Sequence, residues 1–110
     1  MRDLDIRRAL RGEIALLYQD DPDTLVVEEL GLCEGDARID VAVINGSITG
    51  YEIKSERDTL DRLPSQMHIY SRCLTYVTVV ATELHLAQIH AVVPRWWGSY
   101  GHRSTATVFG

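Results

Sequence analysis

The chain has 110 residues and 12.4 kDa, which is room for one domain built around one core and too little for two. With 45% hydrophobic and 25% charged residues, the composition excludes a disordered chain, a collagen-like repeat and a coiled coil. The net charge of −5 argues at first against a nucleic-acid partner, but residues 1–36 hold ten acids and four bases while residues 37–110 hold six acids and seven bases, so most of the chain stays open to one.

Residues 4–19 predict a helix, with Leu10, Ile14 and Leu17 at 3.6-residue spacing, Ala9 and Leu16 widening the stripe, and DDPD as the stop. LVVEELGL (25–32) and ARIDVAVI (37–44) predict two strands, Asn45-Gly46 a tight turn, and SITGYEIKS (47–55) a third strand. The segment 58–74 is helical in character, and Pro64 puts its well-formed part from that residue onward. YVTVVAT (76–82) is apolar throughout, as a strand covered on both faces would be. Residues 83–92 predict a last helix, ended by Pro94 and followed by Trp96-Trp97-Gly98 and a polar tail. The fold class expected is α/β, a mixed central sheet flanked by helices, with residues 1–98 as a single domain and 99–110 as a tail to which the pattern assigns no element. No apolar run reaches the roughly 18–20 residues of a membrane span. The opening MRDLDIRRALRGE is too charged for a signal peptide, so the expected compartment is the cytoplasm.

Charged residues are depleted in strands, yet the second strand carries Asp40 and the third Glu52-Ile53-Lys54. A two-residue Asn45-Gly46 loop would set Asp40 and Glu52 on opposite faces. A three-residue loop with Gly46 left-handed instead puts Ile39, Val41, Val43, Tyr51 and Ile53 on one buried face and Arg38, Asp40, Glu52 and Lys54 on the other. The apolar pattern selects the odd loop. Two carboxylates that close repel unless a cation or a proton lies between them. One reading is therefore a site for Mg²⁺ or Mn²⁺ completed by water and a substrate phosphate. The other is a salt-bridged polar face on which Arg38 and Lys54 neutralise Asp40 and Glu52.

The D-(11 residues)-E-x-K pattern over two strands of a hairpin, after an N-terminal helix, resembles the PD-(D/E)XK or restriction-endonuclease-like superfamily, whose core has the order αβββαβ. Gln66-Met67-His68-Ile69-Tyr70 looks like the Q-x3-Y motif of its RecB-like and lambda-exonuclease-like branches. The run from GDARIDVAVING through GYEIKSERDTLDRLPSQ to PRWWG is similar to that of a small bacterial family with this nuclease core; the likeness covers residues 1–98, with Ile39 in place of the motif's proline. The resemblance implies metal ligation by Asp40 and Glu52 and by the Ile53 carbonyl, a catalytic Lys54, and Gln66 and Tyr70 as positioning groups. It also implies a further carboxylate, for which Glu13 on the first helix and Glu29 on the first strand compete.

The remaining candidates weigh a site role against a local one. Arg57, Arg62 and Arg72 flank the site and would bind phosphates, or pair with Glu56, Asp58 and Asp61. Ser55 reads as a strand-end residue. Trp96 and Trp97 would close the core or stack on bases. His68 is the histidine nearest the motifs, and Cys33 and Cys73 read as two reduced, half-buried thiols. The function expected is Mg²⁺-dependent phosphodiester hydrolysis, most readily of DNA, with a homodimer or a partner subunit supplying substrate binding. The competing expectations are a non-cleaving nucleic-acid-binding or scaffolding module on the same fold, and an RNA-directed nuclease.

Overall fold

A computed structural model describes residues 3–35, 37–55, 58–81, 85, 88–89, 98–102 and 106–109. Helix α1 (Asp3–Leu17) leads into β1 (Leu25–Leu32), a short 3-10 turn (Cys33–Gly35), β2 (Ala37–Ile44) and β3 (Ile48–Lys54). Helix α2 (Leu63–Cys73), β4 (Tyr76–Ala81), β5 (Gly98–His102) and β6 (Ala106–Phe109) follow. The strands form one sheet in sequential order, antiparallel from β1 to β3, parallel from β3 to β5 and antiparallel again at β6. This is the expected α/β arrangement with a mixed central sheet. Residues 99–110, left without an element by the pattern, supply most of β5 and all of β6; β5 reads Gly-Ser-Tyr-Gly-His, poor in strand formers, and β6 has only four residues, too few for an alternation to stand out. Of the helix expected at 83–92, His85, Gln88 and Ile89 are described and are helical, whereas Arg57, Trp96 and Trp97 lie outside the described residues. No helix among the described residues is long and apolar enough to cross a membrane.

The two helices cover opposite faces. Ile6, Leu10 and Ile14 of α1 pack on Val41, Val43, Ile53 and Val80, with Tyr18 and Tyr51 at the margin. The buried stripe advances by four residues at each step, so Tyr18 continues it, and Leu16 and Leu17, expected on it, are 69% and 72% exposed. Leu63 and Tyr70 of α2 pack with Ile39, Ala42, Leu74, Val77, Val79 and Ala81 on the other face. β4 thus buries alternate residues on both sides, which is why its sequence is apolar without a break. In α2, Pro64 occupies the first turn, where a missing N–H leaves nothing unpaired. Leu74 leaves the helix in an extended conformation, and Thr75 ties it to β3 by accepting from the Ile48 N–H through Oγ1 (3.0 Å) and donating its own N–H to the Ile48 carbonyl (2.9 Å).

The β2–β3 hairpin has the odd loop. Ile44 pairs with Ile48 across Asn45-Gly46-Ser47, Gly46 has φ 92°, and Val41 lies opposite Tyr51. The expected faces hold for Val41, Val43, Tyr51 and Ile53 but not for Ile39, which packs with Leu74 and Tyr70 on the α2 side. The cause lies in β1, where Glu29 is left-handed (φ 56°) and the ladder with β2 skips the Glu29–Asp40 position. Below that position, Val26 and Val41 face α1; beyond it, Leu30, Leu32, Ala37 and Ile39 face α2. Both strands exchange faces together, so their register is unchanged, and Asp40 occupies the crossover.

Ile39 reaches the α2 side over Gly50. A Cβ at Gly50 would stand 2.5 Å from Leu74 Cδ1 and 3.0 Å from Ile39 Cγ1, both in a well-packed core. Gly50→Ala is expected to lower the unfolding free energy by about 1–3 kcal/mol through overpacking, read as a shift in the urea midpoint with an unchanged slope.

Candidate functional site

A cavity of about 440 Å³ opens between the β1–β2 hairpin and α2, lined by Glu29, Ala37, Arg38, Asp40 and Glu52 on the sheet side and by Arg62, Ser65, Gln66 and Ile69 on the helix side. Asp40 comes to it through the face exchange, and Glu52 through the odd hairpin loop. The Q-x3-Y pair stands one helical turn apart on the face of α2 turned to Glu52.

Each carboxylate is held by protein donors. Asp40 Oδ2 accepts the Ile53 N–H at 2.7 Å, and Asp40 Oδ1 lies 3.3 Å from Arg7 Nη2, whose other terminal nitrogen donates to the Asp40 carbonyl at 3.1 Å. Glu52 Oε2 accepts the Tyr70 hydroxyl at 2.9 Å. Glu52 Oε1 accepts Gln66 Nε2 at 3.2 Å and pairs with Lys54 Nζ at 3.7 Å, both ion-pair members being almost fully buried. Burial pushes the Glu52 carboxyl up to about 7, with the charge of Asp40 beside it adding to the rise and Lys54 and the Tyr70 hydrogen bond opposing it. Burial also raises the Asp40 carboxyl, against the Ile53 N–H and Arg7. Tyr70 is pushed far up by burial and by Glu52, so it stays a hydroxyl donor.

The structure therefore brings together Asp40, Glu52, Lys54, Gln66 and Tyr70, with Ile53 contributing its N–H. Of the two further candidates, Glu29 joins them, lining the cavity and pairing with Arg7 at 3.1 Å. Glu13 does not: it acts on Tyr51, which burial first, and then Tyr18 and Glu13, push up to about 12. Among the remaining candidates, Ser55 donates its N–H and hydroxyl to Asp58 Oδ2, closing a turn after β3. His68 is exposed on α2.

The salt-bridged face exists, but Arg38 is not the cation that neutralises Asp40. Arg38 is exposed and reaches Glu29 at 4.0 Å, while Arg7 of α1 approaches Asp3, Glu28, Glu29 and Asp40. Sequence reasoning missed Arg7. The signal was its place three and seven residues before Leu10 and Ile14, on the flank of the buried stripe, where a guanidinium needs carboxylates.

Two measurements check this account. Arg7→Met strands the half-buried Asp40 charge and is expected to cost about 1–3 kcal/mol in urea unfolding, part of it recovered by adding Asp40→Asn. Because the Glu52 carboxyl is raised in the folded chain, its contribution to stability is complete below about pH 4.5 and is lost as pH rises through about 7. The melting temperature of the wild type should therefore fall relative to that of Glu52→Gln across that window, and parallel curves would refute the shift.

The chain matches the family model described as bacteriophage P4 protein cII over residues 14–107. It is 30% identical over 91 residues to protein cII of Enterobacteria phage P4, covering 81% of this chain but only 33% of that protein, so it spans about a third of that relative's length. A solved structure, the SPO1766 protein of unknown function from Silicibacter pomeroyi, matches with a TM-score of 0.57 and 17% identity over 86% of this chain and 63% of that one, a likeness of fold alone. These findings correct the expected assignment to the PD-(D/E)XK nucleases, and with it the metal-dependent deoxyribonuclease activity and the Mg²⁺ or Mn²⁺ cofactor. The physical reason is in the donors. No three His, Cys, Asp or Glu side chains among the described residues are grouped to hold a metal ion, and all four oxygens of Asp40 and Glu52 face protein N–H, O–H or cationic groups. By sequence, this chain belongs to the family of bacteriophage P4 protein cII.

Proposed function

We propose that the chain is a DNA-binding module that does not cleave its partner, built on a restriction-endonuclease-like topology and working in the cytoplasm. The observation that carries this reading is the division of charge across the cleft. The acids inside it are engaged by Arg7, Lys54, Tyr70 and Gln66, whereas Arg38 and Arg62 stand exposed on its two walls. From the N-cap of α2 onward, Arg62, Ser65, Ile69 and Arg72 recur at three- and four-residue steps and so share one face, with both arginines exposed. Guanidiniums and a hydroxyl along one helix face suit the phosphates of a nucleic-acid backbone. Of the N-terminal acids, Asp3, Glu28 and Glu29 pair with Arg7, and Glu29 also lines the cleft beside Arg38. A cleft this small covers less than the roughly 600–1,000 Å² of a single DNA-binding module, so a second copy or a partner subunit would complete the surface.

Fluorescence anisotropy of a labelled duplex against salt tests the reading. Three phosphate contacts predict a slope of log K on log salt of about −2 to −3, reduced by about one in Arg62→Ala and in Arg38→Ala. Supercoiled plasmid incubated with the protein and Mg²⁺ should stay supercoiled. Nicking that disappears in Lys54→Ala, or an affinity that ignores salt, would overturn the proposal.

A further inference from the structure

Cys33 and Cys73 stand forty residues apart in sequence and side by side in space, both free and half-buried, with 3.2 Å between their Sγ atoms. Cys33 opens the 3-10 turn between β1 and β2 with a left-handed backbone (φ 50°), and Cys73 is the last residue of α2. Arg72 Nη2 lies 3.8 Å from Cys33 Sγ, so a cationic donor stands beside that sulfur, while the Cys73 thiol is pushed up first by its hydrogen bond with Cys33. One sulfur beside a cation and a second one within about 1.2 Å of bonding distance are the parts that dithiol oxidation requires.

We infer that Cys33 and Cys73 form a modification site at which a hydroperoxide produces a reversible intramolecular disulfide. The Cys33 thiolate attacks the O–O bond and takes the terminal hydroxyl as a sulfenic acid; hydroxide, or alkoxide from an organic hydroperoxide, departs and is protonated. The Cys73 sulfur then attacks the sulfenic sulfur, the S–S bond forms, the S–O bond breaks, and the hydroxide leaves as water with the Cys73 proton. Two thiols supply the two electrons that reduce the peroxide. The product joins the turn that leads into Ala37 and Arg38 to the end of α2, the two walls of the cleft. It also closes a loop of about forty residues, which constrains the unfolded chain.

The test treats the full, reduced chain with a small excess of hydrogen peroxide and then with an alkylating agent. The expected result is loss of both alkylatable thiols, a Cys33–Cys73 cross-linked peptide within one chain, and a melting temperature raised by several degrees that dithiothreitol restores. Cys73→Ser should stop at a sulfenic acid trapped by dimedone, and the wild-type readouts hold whether or not that variant folds. Two thiols still alkylatable after peroxide, oxidation of each cysteine separately to sulfinic acid, or cross-links only between chains would each overturn the inference.

Discussion

A carboxylate half-buried between a helix and a sheet must find donors, and Asp40 finds them on two different elements. Its Oδ2 takes the Ile53 N–H from β3, and its Oδ1 and main-chain carbonyl take Arg7 from α1. These bonds fix the height of α1 over the sheet more specifically than the apolar contacts of Ile6, Leu10 and Ile14, because apolar packing is non-directional and hydrogen bonds are not. The left-handed Glu29 is placed where it can support the same arginine, so the strained residue and the buried charge lie at one point of the fold.

The face exchange at that point divides the β1–β2 hairpin into two functional halves. The half near the β2–β3 turn builds the core under α1. The other half passes its apolar residues to α2 and leaves Arg38 at the mouth of the cleft. Asp40 therefore reaches Glu52 from a strand that is changing sides, and the two carboxylates meet in a dry setting that raises both. The Tyr70 hydroxyl, the Gln66 amide and the Lys54 ammonium then satisfy Glu52 from the other direction. Such a network holds strand, hairpin and helix together through polar groups that are costly to leave unpaired.

A pattern of residue types and a pattern of contacts are different things. Asp, Glu, Lys, Gln and Tyr at these spacings look like a metal-dependent hydrolase because the spacing puts them on one face, and the structure does assemble them. What the spacing omits is a guanidinium thirty-three residues upstream that takes up one Asp40 oxygen. With that cation in place the same residues make polar contacts between the layers, and Glu29, Arg38 and Arg62 are the exposed charged groups that line the cleft.

Much of the fold was legible in the chain. Alternation marked β2, the unbroken apolar run marked β4 as covered on both faces, Pro64 marked the first turn of α2, and the demand that Ile39, Val41, Val43, Tyr51 and Ile53 share a face selected the three-residue hairpin loop, although Ile39 itself leaves that face. These are local signals, set by the period of a strand or helix and by which residues avoid water. The site residues were legible as a set, because charges inside strands stand out. Their partners were not: Arg7 on Asp40, the displacement of Glu13 to Tyr51, the transfer of Ile39 to the α2 face and the approach of Cys33 to Cys73 all depend on how separate elements cross. The sequence by itself determined the elements from α1 to β4, the β2–β3 register and the set of Asp40, Glu52, Gln66 and Tyr70. Only the tertiary structure decided what neutralises them, since a strand's periodicity says which side a residue faces and nothing about which distant charge waits there.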